Sequence, residues 1–238
     1  MKPSVVIPAA GLGTRMNDRT EDKPKCLVEV EDKTVLEHQI DTLEALDIPV
    51  EQIHVVIGTT GDCWTQESYE RIRRIHDDII INFENMSKGP AFSLRLGVEA
   101  TTQDQIIILD GDVFVQQEIL GSLIESNHRS AIVSKTAKNR GEPGSKVVTN
   151  NENVVTDIGK EIQPDRFPWH IYAGIAKIGG DELDALKETL GSENIVGMDV
   201  ADVLREVSRS KMVSNIVFDD GWVNMNRPED IKRAGELI

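Results

Sequence analysis

Apolar and polar positions divide the chain into short continuous runs separated by helical stripes. Val5-Val6-Ile7 is unbroken apolar sequence of the kind that forms a strand buried on both faces. Ile53-His54-Val55-Val56-Ile57-Gly58, Ile79-Ile80-Ile81-Asn82-Phe83 and Ile106-Ile107-Ile108-Leu109 repeat the pattern. Between the runs the period changes. Leu36, Ile40, Leu43 and Leu46 recur at helical spacing behind a capping box, with Thr34 at the N-cap and Glu37 three residues on, and the stripe stops near Asp47-Ile48-Pro49. Tyr69, Ile72, Arg73 and Ile75 mark a second helix, and Pro90 to Ala100 a third with proline in its first turn. Fully apolar strands alternating with helices predict an α/β, Rossmann-like three-layer fold. Its central sheet is expected to be mixed but mostly parallel, and covered on both faces.

From about Gly141 the character shifts. Arg140-Gly141-Glu142-Pro143-Gly144-Ser145 is a turn-rich link, and Lys146-Val147-Val148 with Val154-Val155-Thr156 predicts a hairpin around Asn150-Asn151-Glu152-Asn153. Ile158-Gly159-Lys160 and Ile171 to Ile178 predict further strands, with helices near Asp181 to Leu190 and Asp199 to Ser208. Val213 to Phe218 is expected to be the last strand, and Pro228-Glu229-Asp230 to open a closing helix. Ligands of open α/β sheets sit beyond the carboxyl ends of strands. That rule gathers the Pro8 to Arg15 loop, the Asn85 to Ala91 loop and Asp110-Gly111-Asp112 at one rim.

Composition narrows the classes. At 238 residues the chain is most simply one domain, 1–238, with a sizeable core. Its 26 basic and 41 acidic residues leave a formal charge of -15, which argues against a broad basic face for nucleic acid. Cys26 and Cys63 lack metal-ligand spacing, and with no signal peptide before the first strand a disulfide framework is not expected. No apolar run approaches the length of a membrane span. The expectation is a cytoplasmic protein with no membrane or nucleic-acid partner, and homo-oligomerisation is left open. His54 and His76 are isolated, with no carboxylate or cysteine spaced to make either a metal ligand.

The chemistry concentrates in Pro8-Ala9-Ala10-Gly11-Leu12-Gly13-Thr14-Arg15, with Lys23-Pro24-Lys25 downstream. Small residues after a buried strand expose successive N–H groups, which suits a phosphate chain. Arg15 adds a planar charged fork and Lys25 a mobile point charge. The stretch lacks the Gly-Lys-Ser/Thr of a Walker loop and the third glycine of a dinucleotide fingerprint. It resembles the nucleotidyltransferase family that activates sugar phosphates and small phosphorylated alcohols, whose signature is an apolar strand, (A/G)-(A/G)-G-x-G-(T/S)-R and then P-K, here Val5 to Arg15 and Pro24-Lys25. The resemblance implies the nucleotide-diphospho-sugar transferase type of fold, with 1–115 as the nucleotide-binding half and 116–238 as the acceptor-binding half. It implies catalytic roles for Arg15 and Lys25 and nucleotide contacts from Pro8, Ala9, Ala10, Gly11, Gly13 and Thr14.

Asp110-Gly111-Asp112 crowds two acids at the end of an apolar strand, which is costly unless a cation neutralises them, so Mg²⁺ is expected. The resemblance maps one metal ligand to Asp112 and the second to Asn226, within Trp222-Val223-Asn224-Met225-Asn226-Arg227-Pro228-Glu229-Asp230, where both usual aspartates are asparagine. A competing reading has Asn224 merely capping the turn before the last helix. Lys88-Gly89-Pro90-Ala91-Phe92-Ser93 resembles the family segment that meets the base, giving Asn85, Gly89 and Ser93 as nucleotide contacts, and Asn82, Asn85 or Ser93 could read a pyrimidine. Lys160, in Ile158-Gly159-Lys160, resembles the acceptor-side lysine, and Tyr172 joins it as an acceptor contact. Phe167, Trp169, Tyr172 and Trp222 could form a cage for a quaternary ammonium, as in phosphocholine cytidylyltransferases, but are read first as core.

The function implied is Mg²⁺-dependent joining of an NTP, with CTP preferred, to a small phosphorylated acceptor such as a phospho-alcohol, phosphonate or sugar phosphate, releasing pyrophosphate. Two alternatives stand beside it. One is a sugar-1-phosphate uridylyl- or thymidylyltransferase, although the longer acceptor domain usual there is missing. The other is a nucleotide-binding regulatory module without turnover, motivated by Asn224 and Asn226.

Overall fold

A computed structural model of the protein describes residues 2–11, 23–165 and 167–238. Gly13, Thr14 and Arg15 therefore lie outside the described residues. The first half of the chain runs β1 (Ser4–Pro8), β2 (Glu29–Val30), β3 (Lys33–Thr34), α1 (Val35–Ala45), β4 (Ile53–Gly58), α2 (Gln66–Ile75), β5 (Ile79–Asn82), α3 (Asn85–Lys88), α4 (Pro90–Ala100) and β6 (Gln105–Leu109). The second runs β7 (Val113–Val115), α5 (Gln117–Glu125), β8 (Ala131–Thr136), β9 (Lys146–Thr149), β10 (Val155–Gly159), β11 (His170–Gly179), α6 (Asp181–Gly191), α7 (Val200–Ser210), β12 (Ser214–Val217), β13 (Trp222–Asn224) and α8 (Pro228–Gly235).

Among the described residues the architecture is α/β around a nine-stranded mixed sheet. β5, β4, β1 and β6 lie side by side and parallel, with Val5 opposite Ile53 and Ile107. β11 follows β6 in the reverse direction, pairs β8 along its other edge, and carries the β9–β10 hairpin at its N-terminal end. β12 closes the far side, parallel to β8. Only β10 and β11 run against the rest, so the sheet is mostly parallel, as the alternation of strands and helices requires.

Strand periodicity sorts the core into two layers. Val5, Ile7, Ile107 and Leu109 face α1, α2 and α5. Val6, Ile106 and Ile108 face α4, α6 and α7. The fit is close: a Cβ at Gly97 would lie 2.3 Å from Val6 Cγ1, so α4 reaches β1 only because that position is bare. Among the described residues no helix is long and apolar enough to cross a membrane.

Several elements depart from the sequence pattern. The Thr34/Glu37 capping box forms as expected, but Leu46 is the C-cap and no longer helical. Phe83 lies beyond β5, 74% exposed. Ile158 and Gly159 do not form a separate strand; they continue β10 past a bulge between Val155 and Asp157. β12 is not the last strand. β13 follows it and pairs antiparallel with β7, Asn224 opposite Val113, in a ribbon outside the main sheet. Each of these two strands has three residues, too few for a period to show.

Candidate active site

The carboxyl ends of β1 and β6 and the N-terminal half of β11 border one cleft of about 970 Å³. Its wall begins where β1 ends. Ala9 N–H donates to Val56 O at 2.8 Å, which fixes the exit of the chain, and Ala10 and Gly11 follow along the cleft. The turn after β6 lies directly against this loop, since a Cβ on Gly111 would come within 2.6 Å of both Cα and Cβ of Ala9. Only glycine allows that approach.

Lys25 enters from a short 3-10 turn, Lys25–Leu27, anchored by the buried Cys26 and Leu27. Burial pushes the Cys26 thiol up to about 12, so it packs as an inert apolar group. The Lys25 ammonium, nearly buried, donates to Asp112 Oδ2 at 2.7 Å and to Asn226 Oδ1 at 3.1 Å. Positions 87 and 201 residues from Lys25 thus meet on one ammonium group.

Each partner is held from behind. Gln39, buried in α1, donates from Nε2 to Asp110 O at 2.9 Å and to Val113 O at 2.8 Å, bracing the acidic turn on both sides. Asp110 N–H donates to Gly174 O at 2.8 Å, which ties the turn to β11. The β7–β13 ribbon then carries Asn226 alongside, with Met225 N–H donating to Asp112 O at 2.8 Å. Asp230 accepts from the N–H groups of Asn226 and Arg227 at 3.0 and 2.9 Å. That contact corrects the reading of Asn224 as a cap: Asp230 caps the last helix, and Asn224 Oδ1 is buried with no partner among the described residues.

Among the described residues Asp112 and Asn226 could hold a metal. Their oxygens already converge on one cationic group, the geometry a cation needs, and both are hard donors. Among the described residues no group of three or more His, Cys, Asp and Glu is placed to hold an ion. The pair fits Mg²⁺, which is commonly bound through one or two protein carboxylates with water and phosphate oxygens completing its shell.

At the β4–β5 end, the amide of Asn85 is spent within the protein. Its oxygen accepts from Thr59 and Thr60 N–H at 3.2 and 3.1 Å, and its nitrogen donates to Thr60 O at 3.0 Å and, more weakly, to Ala10 O at 3.5 Å. Asn82 is fully buried, donating to Ser93 Oγ at 2.9 Å and accepting from Glu84 N–H. Gly89, Ser93 and Asn85 all border the cleft. Asn82 holds the wall behind them.

At the opposite end Lys160 forms an ion pair with Asp199. Tyr172, on β11, is 5% exposed. Burial, and then the nearby Asp110, push its phenol well above the usual range. Burial, followed by repulsion from Asp112 and Asp199, likewise raises the Asp110 carboxyl. The aromatic group divides. Trp169, Tyr172 and Trp222 are buried, and Phe167 is more than a third exposed. Phe167 and Trp169 meet edge to face at 5.1 Å, the Arg140 guanidinium stands 5.6 and 5.8 Å from their ring centres, and Lys135 stands 5.6 Å from Trp222.

The cleft thus brings together Lys25, Asp112, Asn226, Lys160, Tyr172 and the Pro8 to Gly11 loop. The residue patterns gave Gln39 and Asp230 no role at the site. Gln39 is a polar position beside the Leu36-Ile40-Leu43 stripe and Asp230 part of a helix opening, with no local signal of what they would brace.

Comparison with known proteins gives a family. The model of the MobA-like NTP transferase domain matches residues 5–163. The UTP–glucose-1-phosphate uridylyltransferase AglF of Haloferax volcanii is 33% identical over 239 residues, covering 98% of this chain and 95% of that protein. The bifunctional protein GlmU of Methanococcus vannielii is 26% identical over 239 residues, and the chain spans about half of its length, 54%. The structure of the inositol-1-phosphate CTP transferase from T. maritima superposes with a TM-score of 0.78 at 19% identity, covering 100% of this chain and 96% of that one, a likeness of fold. With the signature loop on β1 and the matched region running through the cleft to β10, the chain belongs to the MobA-like NTP transferase family.

Proposed function

We propose that the protein is a nucleotidyltransferase that joins an NTP to a small phosphorylated acceptor and releases pyrophosphate. The observation that carries this reading is the meeting of Lys25, Asp112 and Asn226 beside the bare loop at the end of β1. An acceptor phosphate oxygen attacks the α-phosphorus, the new P–O bond forms as the bond to the β-phosphate oxygen breaks, and pyrophosphate departs in line. The nucleophile is already an anion, so the protein has little proton transfer to perform. Its contribution is positioning and charge neutralisation.

In this reading the main chain of Pro8 to Gly11, with Gly13 and Thr14, cradles the triphosphate, and Gly89, Asn85 and Ser93 border the base. Lys25 neutralises charge developing on the α-phosphate, Arg15 stabilises the leaving pyrophosphate, and Lys160 holds the acceptor phosphate. Asp112 and Asn226 would hold Mg²⁺, which when bound supplies further neutralisation of the triphosphate. The asparagine gives that site one negative charge fewer than a pair of aspartates.

Similarity to AglF along nearly its whole length favours UTP over the CTP preferred from sequence patterns. That relative also removes the objection drawn from a missing acceptor domain, since the chain covers 95% of it. Pyrophosphate release measured with each NTP against a panel of phosphorylated acceptors tests the proposal. The expected result is release with one NTP and one acceptor class together. NTP binding without release under every combination would leave a regulatory module instead.

A further inference from the structure

The Lys25 ammonium stands on the two oxygens that a divalent cation would use. It lies 2.7 Å from Asp112 Oδ2 and 3.1 Å from Asn226 Oδ1, so an ion touching both of those oxygens has to stand where the ammonium stands. Two cations in contact repel, and this pair of ligands gives little to offset it. Asp112 supplies the one formal negative charge of the pair, and the ammonium already balances it. An aspartate at position 226 would leave a charge over for the metal, whereas Asn226 leaves none. Nor are the oxygens sealed off, since the Asp112 side chain is 28% exposed and an ion from solvent can reach it.

Of the three groups, Lys25 is the one able to yield. Asp112 belongs to a turn braced by Gln39 from α1 and by Met225 N–H from the β7–β13 ribbon. On the other side β11 bulges between Tyr172 and Ala176, with Gly174 at φ 80°, and makes room for Asp110: a Cβ on Gly174 would lie 2.9 Å from Asp110 Oδ2. Asn226 is tied through its N–H to Asp230. The Lys25 side chain has no hydrogen-bond partner among the described residues beyond these two oxygens, and its flexible stem lets the ammonium swing away while the turn stays in place.

We propose that Lys25 competes with the metal for Asp112 and Asn226, so that the divalent cation is taken up with the nucleotide and not ahead of it. The nucleotide's part rests on the nucleotidyltransferase reading: an α-phosphate offers the ammonium a new partner, and its departure bares both oxygens. A site that is open only part of the time binds its ligand more weakly in proportion, and removing the group that closes it restores the loss. A nucleotide does this reversibly and a substitution permanently.

Titration of the full chain with Mn²⁺, a hard cation of the class such oxygens hold, tests this by calorimetry without nucleotide. Lys25→Met removes the charge and keeps most of the stem. It should bind Mn²⁺ at least about tenfold tighter than the parent, as expected where the ammonium leaves the site less than about a tenth of the time. Adding Asp112→Asn should abolish the gain. Lys160→Met removes another cleft cation, one paired with Asp199, and should change the affinity less than about threefold, which separates direct competition from the general field of the cleft. With a non-hydrolysable UTP or CTP analogue bound, the gap between the parent and Lys25→Met should close to within about threefold. Lys25→Gln repeats the series, and circular dichroism checks that each variant folds. Mn²⁺ affinity unchanged in both Lys25 variants overturns the inference. So does a gain that survives Asp112→Asn, an equal gain in Lys160→Met, or a gap that persists with the analogue bound. A gain without nucleotide, in a protein that binds neither analogue, upholds the competition and removes the nucleotidyltransferase reading.

Discussion

The two ends of the cleft treat polarity in opposite ways. Where the β1, β4 and β5 loops meet, the side chains of Asn82, Asn85 and Ser93 are spent on the protein, and the surface left for a ligand is largely main chain and small residues. Around β11, the turn after β6 and the N-cap of α7, Tyr172 OH, Asp110 Oδ1 and Asp199 Oδ1 are buried without a partner among the described residues. An end that reads its ligand through backbone is built from residues adjacent in sequence. An end that reads through side chains needs them delivered from distant elements, and its specificity can change with one substitution while the frame stays put.

Lys25 stands between the ends, and its removal should have the largest effect. Lys25→Ala is expected to lower kcat by about 10²–10³, the range for loss of one preorganised donor to developing charge, with NTP binding retained by calorimetry. Turnover like that of the parent would separate the two ends chemically and undo the assignment. Gly111→Ala comes next, because its new Cβ would lie 2.6 Å from Ala9 and force the β1 and β6 loops apart. Overpacking of this kind costs about 1–3 kcal/mol, read as a lower urea midpoint accompanied by lost activity.

Asn85→Ala sharpens the contrast. It removes the ties from the β4 loop to α3, each worth about 0.5–1.5 kcal/mol, and should raise KM for the NTP several-fold while leaving KM for the acceptor alone. An equal rise in both constants would mean that the two ends are not independent. The smallest effect is on stability against pH. Burial holds the His54 and His170 imidazoles below the ordinary value of 6.5, with partial relief from Asp78 and Asp219. Folded protein then binds fewer protons than unfolded chain, so this contribution is complete above about pH 6.5 and declines as pH falls through the folded pKa values. Urea midpoints at pH 7 and pH 5 should differ less in His54→Gln than in the parent.

Much of the frame was legible in the residues because it rests on local signals. Apolar runs marked β1, β4, β5 and β6, the Thr34/Glu37 box marked the start of α1, and the rule of strand ends gathered the loops that do border one cleft. β7 and β13 were missed because three-residue strands carry no period, yet that ribbon sets Asn226 beside Asp112. Asp199 read only as the start of a helix, and its place opposite Lys160 depends on how α7 packs against β10.

What the sequence determined by itself was the order of buried strands, the covered sheet they require, and the small residues and cations at the end of the first strand. These follow from burial and backbone sterics, which act over a few neighbouring residues. The tertiary structure alone decided which distant groups share the cleft: Lys25 between Asp112 and Asn226, Gln39 behind the acidic turn, and Asp110 beneath the β11 bulge near Tyr172. Hydrogen bonds and ion pairs depend on positions in space to within fractions of an ångström, and strand register, bulges and helix packing set those positions at long sequence separation.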